Sequence, residues 1–431
     1  MDQHAWRTAL ILVTFALALR GAMLLLALLA GRGWDAFREP DSASYLETAR
    51  ALAERGEFSR HGEPEILRTP GYPVFLAPAS RLEEPLWLIV PLQLALSAGT
   101  VGLLFAVAHP LLGRRGALWC AVLYACEPLA VAYTGKALSE TLFAALLVLW
   151  LLSVVRPSNS PSSALRLLLP VLILAAAAYV RPVLYYFPAL FALAWAIAGH
   201  GVLKQRAIAT AVTLAACAAV LGSWQVRNRL QADFGGFSSV ADVSLYFWHR
   251  AAVQAASDER SLRSVQQDMG LGARDTFDKL HPELREASPG ERARFMRDDG
   301  LRTIRAEPRV FLLNYADGLW GTLTDPGTSA YVGLFDTEQQ EQSSRSVRRV
   351  VHSLLMIMLV ALYLLAASGV WRLRRDLVRW PWVAVVALAV YLVALSGGPV
   401  GYHRLRHPVM PIVCLLAAVG ATRRIAIVPP E

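Results

Sequence analysis

Apolar residues fall in long blocks separated by polar stretches of very unequal length. The blocks cover 8–30, 85–111, 117–133, 138–155, 165–180, 183–198, 207–224, 351–370, 381–396 and 408–421. Each is long and apolar enough to read as a membrane-crossing helix, where about 20 such residues are needed. The shorter ones are expected to tilt little or to hide inside the bundle. The predicted fold is an all-α polytopic membrane protein of about ten transmembrane helices, with amphipathic juxtamembrane helices in two long polar segments, 31–84 and 225–350. The chain divides accordingly into a membrane core over 1–224 with its first polar segment, a second polar segment over 225–350, and closing helices over 351–431. Within the first polar segment a surface helix is expected over 41–55, with Tyr45, Ala49 and Leu52 at helical spacing and Gly56 as its stop. Arg68, Pro70, Gly71, Tyr72 and Pro73 then make a rigid return into the apolar phase. The second segment is too long for a bare loop. It reads as helical pieces, one over 290–306 and an interfacial one over 308–323, where Phe311, Tyr315 and Trp320 mix with Asn314 and Asp317. The stretch 156–163 reads as a flexible turn.

Composition agrees with this pattern. Of 431 residues, 55% are hydrophobic and 17% charged, well below the quarter or so typical of soluble domains. The net charge of +9 is therefore no argument for nucleic acid; arginines at membrane faces account for it. Their distribution also sets an orientation. Arg7, Arg114, Arg115, Arg156, Arg166, Lys204, Arg206, Arg372, Arg374, Arg375, Arg379, Arg423 and Arg424 would lie on one side, against Lys136, Arg181, Arg404 and Arg406 in the short loops of the other. The positive-inside rule puts both termini in the cytoplasm and both long segments outside, in the cytoplasmic (inner) membrane of the cell envelope. The first apolar block carries Arg20 and no small-residue cleavage site, so it is expected to be retained. Cys120, Cys126, Cys217 and Cys414 show no metal spacing and no disulfide framework.

The chain has no phosphate loop, no H-E-x-x-H and no G-x-S-x-G. Its chemistry must rest on carboxylates and cations at the outer face. Glu39 and Asp41 stand two apart around Pro40, so both can serve one proton or one divalent cation. A neighbouring carboxylate should raise the pKa of one of the pair, which suits a base. Equally, Asp41 can be the N-cap of the following helix. Glu140 starts an apolar block and reads either as catalytic or as a first-turn carboxylate favoured by the helix dipole. Lys136 is its partner four residues earlier or an interfacial anchor. Arg20, deep in a span, must pair or bind an anion. Arg68, Arg181, Arg227, Arg404 and Arg406 form a prospective cationic rim, and arginine's fork suits phosphate. Tyr45, Tyr72, Tyr402 and His403 stand beside these groups as further ligands for donor or acceptor. His403 and His407 lie four apart with no acidic or cysteine ligand close in sequence.

Several stretches together resemble a known family. PDSASYLETARALAERGEF followed by RTPGYPVFLA, LSETLF at 138–143, YVRP at 179–182, SWQVRN at 223–228 and HRLRHPVMP at 403–411 are similar to motifs of the GT-C fold glycosyltransferases that use polyprenyl-phosphate sugars. Protein O-mannosyltransferases and the lipid A aminoarabinose transferase are members. The motifs come in the family's order across most of the chain. Ser223 departs from a frequent proline, His407 departs in the last motif, and the soluble C-terminal domain of some members is expected to be missing. The resemblance implies a hexosyl- or pentosyltransferase moving sugar from a polyprenyl-phosphate donor to a protein, lipid or glycan hydroxyl outside the cytoplasm. It maps the family's acidic residue onto Asp41 as general base, with Glu39 beside it. A base for the hydroxyl and cations for the leaving phosphate suffice without a covalent intermediate, so inversion is expected. A transporter or flippase of an anionic lipid is the other reading. It finds no internal repeat and no paired broken helices in its support.

Overall fold

The structure is a computed structural model that describes residues 3–155, 163–198, 202–335 and 344–422. The expected turn over 156–163 falls, except for Ser163, outside the described residues, as do Arg423 and Arg424. The fold is helical, as the sequence pattern predicts. The long apolar helices are α1 (Gln3–Ala27), α4 (Leu86–Ala125), α6 (Glu140–Val155), α7 (Ser163–Val180), α8 (Phe187–Ala198), α9 (Leu203–Ala232), α17 (Ser344–Leu373), α18 (Trp382–Ala394) and α20 (Met410–Ala421). Between them come α2 (Pro40–Arg55), α3 (Gly71–Leu76) and α5 (Pro128–Ala132). The second polar segment adds α10 (Val240–Ser244), α11 (Ala251–Ser257), α12 (Leu262–Asp268), α13 (Arg274–Leu280), α14 (Pro289–Ala306), α15 (Pro308–Thr324) and α16 (Thr328–Phe335), and α19 (His403–Arg406) precedes the last span.

The expected spans over 85–111 and 117–133 are the two arms of α4, which breaks at Gly113 (φ 69°, ψ 178°). The arms form a hairpin. Gln93 donates to the Lys136 carbonyl (2.7 Å) at one end, and Arg114 donates to Thr8 (3.1 Å) at the other. The second arm stops at Ala125 rather than near 133. There Glu127 begins a new short helix by accepting the Ala130 N–H at 2.6 Å, and Pro128, which has no N–H, occupies the first turn. The helix expected over 207–224 continues to Ala232.

Both long polar segments gather at one end of the bundle. The side chain of Arg227 on α9 donates to the Glu65 carbonyl (2.7 Å) and to the Phe58 carbonyl. Arg292 on α14 pairs with Glu63 in the first segment. Ser59–Arg60 and Glu63–Pro64 form a small antiparallel hairpin, which helix-period patterning did not anticipate. The second segment carries its own apolar cluster of Tyr246, Phe247, Val265, Met269 and Phe277. α14 starts with a capping box between Ser288 and Glu291. α15 leaves Leu312, Leu313 and Trp320 exposed, as expected of a helix at headgroup depth.

Two glycines set the spacing at this end. A Cβ on Gly71 would meet the Tyr179 carbonyl at 2.7 Å, so only glycine lets α3 lie against the end of α7. A Cβ on Gly318 would meet the Gly398 carbonyl at 1.7 Å, so α15 can press against the loop that leads to α19. The first contact fixes Arg181, which follows α7; the second fixes His403 and Arg404.

Candidate active site

At the start of α2 the N-cap is Glu39, not Asp41. The Glu39 N–H donates to the Ser42 hydroxyl at 2.9 Å, and Pro40 fills the first helical position. Asp41 lies in the first turn of α2, and its side chain is spared from capping. Arg68 donates from Nη2 to its Oδ1 (2.6 Å) and Arg404 from Nη1 to its Oδ2 (2.7 Å). Arg404 also donates from Nε to Glu140, which accepts in addition from Arg181 (2.6 Å). The result is one chain of charges, Arg68–Asp41–Arg404–Glu140–Arg181, joining residues from the first polar segment, α6, the end of α7 and α19. Glu140 is fully buried. Two guanidiniums donate to its Oε1 there, while its Oε2 has no partner among the described residues, so the helix dipole is not its only counterpart.

Aromatic groups line the same place. The Arg68 guanidinium lies over the Tyr45 ring (4.4 Å) and reaches the Ser44 hydroxyl (3.0 Å). Tyr45 meets Tyr72 edge-on at 4.9 Å, and the Tyr72 hydroxyl donates to Gln93 (3.0 Å). Tyr402 packs edge-on against His403 at 5.1 Å.

Three expectations need correction. The carboxyl of Asp41 is not raised by Glu39. Burial pushes it up, but the guanidiniums of Arg68 and Arg404 outweigh burial and hold it below the usual carboxylate range. Lys136 pairs neither with Glu140 nor with solvent. It is 4% exposed and donates to Glu39, so Glu39 and Asp41 point to different cations. The cationic rim is smaller than five arginines. Arg227 is spent on backbone carbonyls and on stacking against Trp224 (4.9 Å). Arg406 is buried and donates to the carbonyls of Thr322 (2.8 Å) and Leu323 (3.2 Å). Arg20, fully buried, donates to the Tyr124 carbonyl at 3.1 Å, apart from the Asp41 cluster. A divalent cation between Glu39 and Asp41 would have to displace Lys136, Arg68 and Arg404. Among the described residues no group of three His, Cys, Asp or Glu side chains could hold a metal.

Comparison with known proteins now bears on this arrangement. No protein-family model matches the chain, and neither does any curated protein. Among solved structures, the chain is similar to the archaeal oligosaccharyltransferase AglB from Archaeoglobus fulgidus, determined with an inhibitory peptide and a dolichol-phosphate. Identity is 11% and the TM-score 0.50, over 94% of this chain and 50% of that one. The chain thus spans about half the length of AglB. ArnT from Cupriavidus metallidurans, bound to undecaprenyl phosphate, matches at 14% identity and TM-score 0.36, over 98% of this chain and 79% of that one. The protein has the GT-C fold. In this GT-C bundle the charge chain sits where the helix ends and the two polar segments converge.

Two residues beside the charge chain carried no sequence signal of their partners. Lys136, readable as a partner of Glu140 or as an interfacial anchor, pairs with Glu39. Asp325 is not singled out by the sequence; its Oδ1 accepts the Gly327 N–H (2.9 Å). Its Oδ2 lies 2.7 Å from His403 Nδ1. Burial pushes the Asp325 carboxyl up, but the His403 ring and the Gly327 N–H outweigh it and bring it down to about 2.

Proposed function

We propose that the protein transfers a sugar from a polyprenyl-phosphate donor to an acceptor hydroxyl on the extracytoplasmic side of the membrane, with inversion at the anomeric carbon. The observation that carries this reading is Asp41 held between Arg68 and Arg404. A proton acceptor and two phosphate-binding forks then stand within one hydrogen-bonded unit. The donor phosphate displaces Asp41 from one guanidinium. Removing a cation raises the carboxylate's proton affinity, so donor binding itself prepares Asp41 as the base. Glu140 stays on Arg404 and Arg181 and keeps the Arg404 fork aimed. Attack of the hydroxyl oxygen on the anomeric carbon breaks the sugar–phosphate bond, and Asp41 takes the hydroxyl proton.

The lipid part of such a donor needs apolar space. A cleft of about 500 Å³ opens between α1 and α17, lined by Met23, Leu26, Val131, Tyr331, Leu355 and Met358. The dolichol-phosphate in the AglB structure supports a donor of this class. The test is turnover of a panel of polyprenyl-phosphate sugars by the purified protein in detergent. Consumption of one of them without a sealed compartment is the expected result. Movement of lipid across sealed vesicles with no consumption would favour a flippase instead.

A further inference from the structure

Between the hairpin of Ser59–Arg60 and Glu63–Pro64 and the start of α3, residues 65–69 form neither helix nor strand. Glu65 organises this stretch. It is 3% exposed. Its Oε1 accepts the Leu67 N–H (2.5 Å) and the Arg68 N–H (3.1 Å), and its Oε2 accepts from Arg60 Nε (2.5 Å). No ladder or helix is there to take those two N–H groups, so the carboxylate does for them what secondary structure does elsewhere. The carbonyls of the same stretch are held from the other side. Arg227 on α9 donates to that of Glu65 (2.7 Å), the Ser239 N–H to that of Ile66 (2.9 Å) and the Ser238 hydroxyl to that of Leu67 (2.7 Å).

What this fixes is the base of the Arg68 side chain. Beyond it, Nε donates to the Ser44 hydroxyl (3.0 Å), Nη1 to the Tyr45 hydroxyl (3.3 Å) and Nη2 to Asp41 (2.6 Å). Asp41 is the charged partner among these; the two hydroxyls are neutral and hold more weakly. A phosphate that takes the place of Asp41 on Arg68 removes the strongest of the three tethers. Arg404 differs, because Glu140 remains on it. A side chain as rich in rotamers as arginine then stays aimed only if its backbone does not move.

We propose that Glu65 is a positioning residue for the donor phosphate: its carboxylate clamps the backbone at Leu67 and Arg68, and so keeps the Arg68 fork in place as the phosphate replaces Asp41. This rests on the polyprenyl-phosphate reading above. Glu65 touches neither the phosphate nor the reacting atoms; it acts through Arg68. The clamp is a matter of acceptor geometry more than of charge. Glutamine at this position can still accept both N–H groups through its amide oxygen, and Arg60, which is part-exposed, can turn to water. Alanine accepts neither N–H.

The test uses the full chain in detergent, with undecaprenyl phosphate as probe and with hydrogen exchange of the backbone amides. Glu65→Ala should weaken binding of the lipid phosphate about tenfold, the worth of one charged hydrogen bond, and Glu65→Gln should lose less. In Arg68→Lys there is no fork left to aim, so Glu65→Ala added to it should weaken binding no further, whereas a residue that only supports the fold would add its loss in full. In the wild type the Leu67 and Arg68 amides should be protected from exchange; Glu65→Ala should expose them and leave α2 protected. Unchanged affinity in Glu65→Ala, equal losses in the alanine and glutamine variants, or additive losses with Arg68→Lys would each overturn the proposal. Fast exchange of the two amides in a wild type that binds the lipid would overturn it too, even if Glu65→Ala does not fold. Failure of the wild type to bind undecaprenyl phosphate would instead sink the donor reading, and the proposal with it.

Discussion

A carboxylate gripped by two guanidiniums cannot take a proton until one of them lets go. Asp41→Asn keeps the side chain's size and leaves the Glu39–Ser42 cap intact. It also releases Arg68 and Arg404 from competition. We expect undecaprenyl phosphate to bind this variant at least as tightly as the wild type, while turnover falls about a hundredfold or more, the scale of general-base contributions. Tighter binding with lost turnover is the signature of a base that also occupies the phosphate site; near-normal turnover would reduce Asp41 to an ion-pair partner. The arginines separate in the same assay. Lysine at position 68 or 404 keeps charge and loses the planar fork, and should weaken lipid-phosphate binding roughly tenfold, the worth of one charged hydrogen bond. Arg227→Lys and Arg406→Lys should lower the unfolding temperature and leave that affinity unchanged, because their donors already serve backbone carbonyls. Loss of affinity in either would restore the wider rim. At this scale the sequence was partly legible. Arg68 and Asp41 lie in one motif-rich segment, but Glu140 meets Arg181 and Arg404 across 41 and 264 residues. No local pattern encodes such distances.

Elements were legible where periodicity and punctuation agreed. α2 has Pro40 at its start and Gly56 in the left-handed conformation (φ 70°) at its end, both readable as signals. α14 has its capping box. What escaped was the hairpin at Ser59–Arg60, too short for a period, and the break at Glu127. Burial decides the chemistry of the second polar segment too. Asp242 on α10 is 7% exposed. Burial pushes its carboxyl up, Arg297 pulls it down and Asp298 pushes it up, to about 6 overall. A raised acid binds more protons folded than unfolded, so stability falls as pH rises from about 4, the unfolded value, to about 6, and stays lower above that. The penalty is about 3 kcal/mol at neutral pH, at 1.36 kcal/mol per unit. Asp242→Asn should therefore raise the unfolding temperature at pH 7 and flatten its dependence between about pH 4 and 6. An Asp242→Asn protein less stable than the wild type at pH 7 would show that the carboxylate is held charged by Arg297. Glu140 joins α6, the end of α7 and α19, and its removal should act as a loss of stability. Glu140→Gln leaves two guanidiniums short of a buried partner and should cost about 3–5 kcal/mol, so its turnover must be read at matched folded protein.

At the scale of the molecule, the apolar blocks dictated a polytopic bundle, and the candidate site lies where the two long polar segments meet it. Which face of the membrane that is rests on arginine asymmetry. Arg7, Arg114 and Arg115 stand at the end of the bundle away from Asp41, where Arg114 meets Thr8. The two polar segments stand together at the other end, joined by Arg292–Glu63. Among the described residues six apolar arms separate those segments, an even number, so with each arm crossing the membrane both lie on one side. That parity constrains the pair to a common face and leaves the choice of face to the basic residues. Glu54 at the end of α2 and Asp275 on α13 are exposed, and substitution there disturbs no buried contact. Cys120, Cys217 and Cys414 are buried, and a variant with Cys126 replaced removes the remaining background. We expect Glu54→Cys and Asp275→Cys in that variant to react with a membrane-impermeant maleimide in intact spheroplasts, each to the extent seen after lysis. Labelling of both only after lysis would invert the bundle. Asp41 would then face the nucleotide-sugar pool, and a lipid-linked donor would lose its reason. Labelling of one and not the other would break the parity, and with it the contact between the two segments on which the site depends.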